Sequence, residues 1–490
     1  MTMRQIIDRI PTRPSRGFAP LAVCRAQSWL AFVAVLSVAA VPATAQQANV
    51  RDPAAAVAPG ANADLDALID EVLALGRENP PPLPLPQGTD PRYGDRMPIV
   101  SEESIQAQAR RAAQLLERVL ALDTAQLTRE QQLDVYVLTD RLRSRLAEAR
   151  FRTYLVPVTD AGGFHTRFAQ QARSGTLRTV ADHDRYTARL QSFGAHKAQQ
   201  IALLRIGLAE GHTLAGPSMI EDYAATIRPY VDDDVQASAF YEPLTRMPDS
   251  LPSADRARIL RDGERAVRES VLPAYRQFLD FMVGEYLPGV RTTAGLWAVP
   301  GGREYYEHLV RHYTTLDITA EEVHEIGLRD VARLRAEMEA VMRGTGFQGT
   351  FAEFLHFLRT DPQFYVEDPE DYIRQAAYIA KRMDGQLPRL FRVLPSTPYG
   401  IRPFPDTPAA LRGTGANYGL GTPGERAGYY NLNLSAIESR PLYVLEALTF
   451  HEAVPGHHLQ IMLHRENEGL STLRRNASIT AFVEGWALYA

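Results

Sequence analysis

The densest group of chemically capable side chains is the run His451-Glu452-Ala453-Val454-Pro455-Gly456-His457-His458. Imidazole and carboxylate are what zinc accepts when no thiolate is at hand, and a carboxylate beside a ligand can take a proton from water. The usual arrangement places two His at i and i+4 on one helix face, with Glu next to the first. Here i+4 is Pro455, which cannot ligate. On a straight helix His457 falls about 240° round from His451, and His458 regains the face only about 10.5 Å further along. Neither can share an ion whose bonds are about 2.0–2.1 Å. Pro455-Gly456 offers a remedy. Pro removes a helix donor and clashes with the preceding turn, while Gly accepts backbone angles that others avoid. A two-residue bulge there carries His457 into the place that i+4 normally holds. His457 is the preferred second ligand, His458 the alternative, and Glu452 the general base.

A third ligand is needed, and Phe482-Val483-Glu484-Gly485-Trp486-Ala487 sets one carboxylate in an apolar helical segment. An acid in such company is expected to be buried with a partner, and a metal is one. His324-Glu325 is a decoy, because its i+4 residue is Leu328. A developing oxyanion needs a donor. Tyr429 and Tyr430, just before the zinc helix, are candidates. Residues 428–434 read as a strand whose exposed edge could pair with an extended peptide. Asn431, Asn433 and His458 are candidate substrate-binding residues there. The expected chemistry is hydrolysis by zinc-activated water, with Glu452 as base.

The elements that must position these groups are mostly helices. Asp64–Leu75, 103–121 and 128–149 show apolar spacing near 3.6. Thr319 and Glu322 form a capping box at the head of a helix to Met342, stopped by Gly344. Val323, Ile326, Val331, Leu334, Met338 and Val341 are expected to be its buried stripe. Residues 442–466 read as a helix broken in its middle. Strand-like alternation is rare, and its clearest case is Gly428–Leu434, after the Gly- and Pro-rich loop 413–424. The fold class is therefore mainly α: one large multi-helix domain over 64–490 with a short β-sheet near the metal site.

The remainder bounds location and partners. Five Arg against one acid in residues 1–45, an apolar run from Trp29 to Val41 and Ala43-Thr44-Ala45 read as a signal peptide cleaved after Ala45. The apolar run is too short for a bilayer of about 30 Å, so no stable membrane span is expected after cleavage, and the protein is expected to be periplasmic or secreted. Residues 46–63 read as disordered and Pro80–Pro86 as a polyproline strap. Cys24, the one cysteine, falls in the leader, so any metal must sit on His, Asp or Glu. The net charge is −5 with no basic run, which excludes a nucleic-acid partner.

The run from His451 to Gln460, followed by Ala481-Phe482-Val483-Glu484-Gly485-Trp486-Ala487-Leu488-Tyr489, resembles the bacterial family catalogued as domain of unknown function 885, which is similar to gluzincin-type helical zinc peptidases. Tyr286-Leu287-Pro288, Pro300-Gly301-Gly302 with Tyr305-Tyr306, and Thr314-Thr315 through Ile326-Gly327 carry the resemblance upstream. It implies a mostly helical metallopeptidase-like fold, Zn2+ on His451, His457 and Glu484, Glu452 as the catalytic residue, and a peptide or small amide as substrate. Family members continue past Tyr489 with an Arg- and His-bearing segment, whereas this sequence stops at Ala490; truncation is expected, leaving activity of this chain open. The competing readings are a zinc hydrolase of non-peptide amides or esters and a non-catalytic metal-containing binding protein.

Overall fold

The computed structural model describes residues 62–77, 96–174, 177–219, 222–404 and 415–490. The expected leader, the segment to residue 61 and the polyproline strap lie outside them. The principal helices begin with α1 (Ala63–Arg77), α2 (Glu102–Leu120) and α3 (Arg129–Arg150). Their apolar stripes meet in one cluster holding Leu65, Leu68, Leu115, Val119, Leu138 and Leu142. Ser101 caps α2, and a Thr128–Gln131 capping box starts α3, satisfying amide donors that a helix start leaves free.

A two-rung hairpin, β1 (Val158–Thr159) with β2 (Gly162–Gly163), leads into α4 (Phe164–Ser174) and the long α5 (Val180–Glu210). With α6 (Ser253–Ala266), α7 (Leu272–Phe281) and the connecting segment that carries Phe240, these build an aromatic core of Phe168, Phe193, Phe240 and Tyr275. One π-helical stretch, Val267–Val271, precedes Pro273, and another, Met282–Tyr286, precedes Pro288. The widened turn accommodates a ring that would clash with a regular helix.

Next come α8 (Gly302–Thr314), α9 (Ala320–Gly344), α10 (Phe351–Thr360) and α11 (Pro369–Asp384). The Thr319–Glu322 capping box forms as expected. The buried stripe does not: Val341 is buried, but Ile326 and Val331 are 42% and 68% exposed. Amphipathic spacing fixes which face is apolar; it does not supply an element to lie on it.

The second sheet has order β3 (Tyr399–Pro403), β5 (Gly428–Leu432), β4 (Ala416–Gly419), with β3–β5 parallel and β4–β5 antiparallel. Its inner face, with Tyr430 and Leu432, packs with Leu445 at the head of α12 (Leu445–Glu452). The chain then runs through α13 (His457–Glu466), a short turn at Thr472–Arg475, and α14 (Thr480–Tyr489). A mainly helical body with small sheets is the class that the sequence patterning called for.

Candidate metal centre

The helix over 442–466 breaks where Pro455-Gly456 predicted. After Glu452 the backbone leaves helical angles at Ala453 (φ −102°, ψ −104°), passes a cis Val454–Pro455 bond and resumes after Gly456 (φ −74°, ψ −126°). Gly456 N–H donates to Phe450 O at 2.9 Å, and His458 N–H to Ala453 O at 3.0 Å. The bulge is folded so tightly that a Cβ on Gly456 would stand 2.0 Å from His451 O. Only glycine fits. The result is that His451 and His457, six residues apart, place their rings 4.7 Å apart at 79°.

Glu484 comes from α14. Its Oε2 stands 3.7 Å from His451 Nε2 and 3.6 Å from His457 Nε2. One donor atom from each of the three residues lies within 4.8 Å of the others. Two ligands on a tetrahedral zinc stand roughly 3.4 Å apart, so this donor set fits the ion. The expected burial of Glu484 does not hold: its side chain is 57% exposed. On α14, Ala487 is buried, while Phe482, Leu488 and Tyr489 are exposed. The helix touches the body along one side, where Trp486 packs with Val454 and Leu459 and its Nε1–H donates to Pro455 O at 2.8 Å. That bond ties the helix that carries Glu484 to the bulge that sets the two histidines.

Glu452, only 7% exposed, lies beside this group. Burial, reinforced by the nearby Glu484 carboxylate, pushes its carboxyl up to about 7, and the Tyr418 backbone N–H on β4 works the other way. Burial lowers the pKa of His457, as does His451, against the pull of Glu484.

The other predicted residues take structural places. Tyr430 is fully buried, and its hydroxyl is 3.2 Å from Thr449 Oγ1, which donates to Leu445 O. It locks β5 onto α12 and cannot offer its hydroxyl to a substrate. Strand alternation sends Tyr429 to the opposite face, where the Arg402 guanidinium carbon stands 3.9 Å from its ring centre. Asn431 donates to Asn417 and accepts from Arg402, each at 2.8 Å. Asn433 is fully buried; its N–H donates to Gly415 O and its Oδ1 accepts from Ser435 N–H. His458, 2% exposed, is hydrogen-bonded through Nδ1 to Tyr418 OH at 3.0 Å and sits against Tyr399. It turns away from the three-donor group, which contains His457 instead. The expected free edge at 428–434 is also absent: β5 is the central strand. Two contributors escaped sequence reasoning. Tyr418 has no signature, since its role depends on strand pairing. Trp486, two residues from Glu484, had a signal in its place within the motif.

Fold and site together define a mainly α protein with a three-donor candidate metal centre built on a broken helix. The chain belongs to the family described as bacterial protein of unknown function, DUF885, whose pattern matches residues 85–490. Among solved structures it is similar to the "putative lipoprotein" from Colwellia psychrerythraea: TM-score 0.72, 21% identity, covering 87% of this chain and 77% of that one. A Shewanella oneidensis "putative lipoprotein of unknown function" is similar at TM-score 0.51 and 16% identity, over 87% of this chain and 76% of that one. At such identities the likeness shows the fold. None of the curated proteins matches the chain.

Proposed function

We propose that the chain is an exported, zinc-dependent hydrolase of gluzincin type that cleaves peptide bonds in small peptides or oligopeptides. The observation that supports this most is the approach of His451, His457 and Glu484 donors to within 4.8 Å, with the Glu452 carboxylate beside them. Zinc held there would supply Lewis acidity toward a carbonyl oxygen and would make a water acidic near neutral pH. Glu452 takes the proton from that water and passes it to the leaving amine. Its side chain, buried next to His451, is placed to exchange a proton with a water at the site.

The peptide reading draws on β4. Among the described strands β4 pairs only with β5. Its outer edge is the side from which Tyr418 N–H reaches Glu452, and an extended peptide can add to such an edge as a further strand. Export is supported by the leader in the sequence and by similarity to structures described as lipoproteins. No helix among the described residues is long and apolar enough to cross a membrane.

The test is zinc content and peptide cleavage on the full chain. One zinc per chain and release of peptide fragments are expected. Glu452→Gln should keep zinc and lose turnover. Turnover persisting in the zinc-loaded variant would remove Glu452 from the mechanism. Hydrolysis confined to non-peptide esters or amides would overturn the peptide assignment.

A further inference from the structure

Two polar atoms close to the centre are buried without a hydrogen-bond partner: His457 Nδ1 and Gln460 Oε1. Their residues are 8% and 9% exposed. They stand three positions apart on α13, so they are neighbours on one helix face. The two atoms are chemically complementary. His457 Nε2 is the nitrogen turned toward Glu484, at 3.6 Å. A neutral imidazole that offers Nε2 as ligand carries its proton on Nδ1, which makes Nδ1 a donor. The amide oxygen of Gln460 can only accept. Each left unpaired in the interior is unfavourable, because nothing replaces the hydrogen bond it would make in water. The last torsion of a Gln side chain is soft, so the amide oxygen is free to turn about it. His458, the adjacent histidine, already has Nδ1 bonded to Tyr418.

We propose that Gln460 is a positioning residue of the metal centre. Its Oε1 accepts from His457 Nδ1–H, which fixes the tautomer and ring orientation that present Nε2 to zinc. This rests on the zinc reading above. Partners of this kind typically change metal affinity 10–100-fold when removed.

The experiment compares zinc affinity, by chelator competition, in the wild type, Gln460→Met and Gln460→Glu, together with melting of each metal-free protein. Met keeps the shape and loses the acceptor; Glu keeps an acceptor. The expected result is zinc binding about 10–100-fold weaker in Gln460→Met, with metal-free melting near that of the wild type, and affinity in Gln460→Glu close to the wild type. Equal zinc affinity in wild type and Gln460→Met, or equal losses in both variants, overturns the inference alone. A wild type that takes up no zinc overturns the metal-centre reading as well. Should Gln460→Met fail to fold, the imidazole spectrum of the zinc-loaded wild type decides. A protected proton on His457 Nδ1 supports the pairing, and a freely exchanging one overturns it.

Discussion

Two histidine pairs invite comparison. His308 and His312 sit four residues apart on the regular helix α8, the spacing that zinc-binding helices ordinarily use. Their rings stack 6.0 Å apart at 16°, and His312 Nδ1 lies 3.3 Å from Ser144 Oγ and 3.8 Å from Asp140. His451 and His457 have the wrong spacing for a straight helix. Yet their rings stand 4.7 Å apart at 79°, and Glu484 closes on both. Among the described residues, this second pair alone belongs to a set of three donors within 4.8 Å. Helical spacing makes side chains neighbours. Convergence on one point requires a backbone that turns them toward each other and a carboxylate delivered by a different element.

The largest effect expected from this contrast is on zinc uptake. His457→Ala should weaken zinc binding by more than about 100-fold, beyond what loss of an outer partner causes. His312→Ala should leave zinc content unchanged by metal analysis. Equal losses in both would erase the distinction. Gly456→Ala probes the bulge directly, since its Cβ would meet His451 O at 2.0 Å. A destabilisation of about 1–3 kcal/mol, the usual range for overpacking, is expected in thermal or denaturant unfolding, with weakened zinc binding.

Trp486→Phe keeps an aromatic side chain, though a smaller one, and removes the bond to Pro455 O. It should cost about tenfold in zinc affinity while metal-free melting changes little; unchanged affinity would mean that packing alone holds α14. The smallest effect concerns a histidine with no metal role. Burial lowers the pKa of His196 to about 4, although its bond to Pro98 O opposes this. The unfolded chain, with an ordinary value near 6.5, binds more protons between those two pH values. Stability is therefore full above about pH 6.5 and falls as pH drops toward 4. The contribution is on the order of 1 kcal/mol by pH 5.5. His196→Gln should shallow that acid limb in melting curves, and an unaltered limb would assign the loss to other groups.

Legibility followed the range of the interactions. The capping box at Thr319 was readable because it closes within one turn. The break at Pro455-Gly456 was readable for the same reason, and with it the approach of His457 to His451. Tyr430, Asn433 and His458 were not. Their patterning marks them as polar groups near the site, but strand alternation and sheet order decide which face is covered. β5 became the central strand of its sheet, so its polar groups were consumed by neighbours. The exposed Ile326 and Val331 on α9 show the same limit from the apolar side.

The sequence by itself determined the helical class, the break in the helix at Pro455-Gly456 and the kinds of donor side chain that flank it, because residue type, local period and backbone restriction act over a few positions. Only the tertiary structure decided that Glu484 meets both histidines from a half-exposed helix tied by Trp486. It also decided that Tyr418 faces Glu452, and that β4 rather than β5 has an edge to offer. Those are distances between segments far apart in the chain, and they are set by which surfaces pack together.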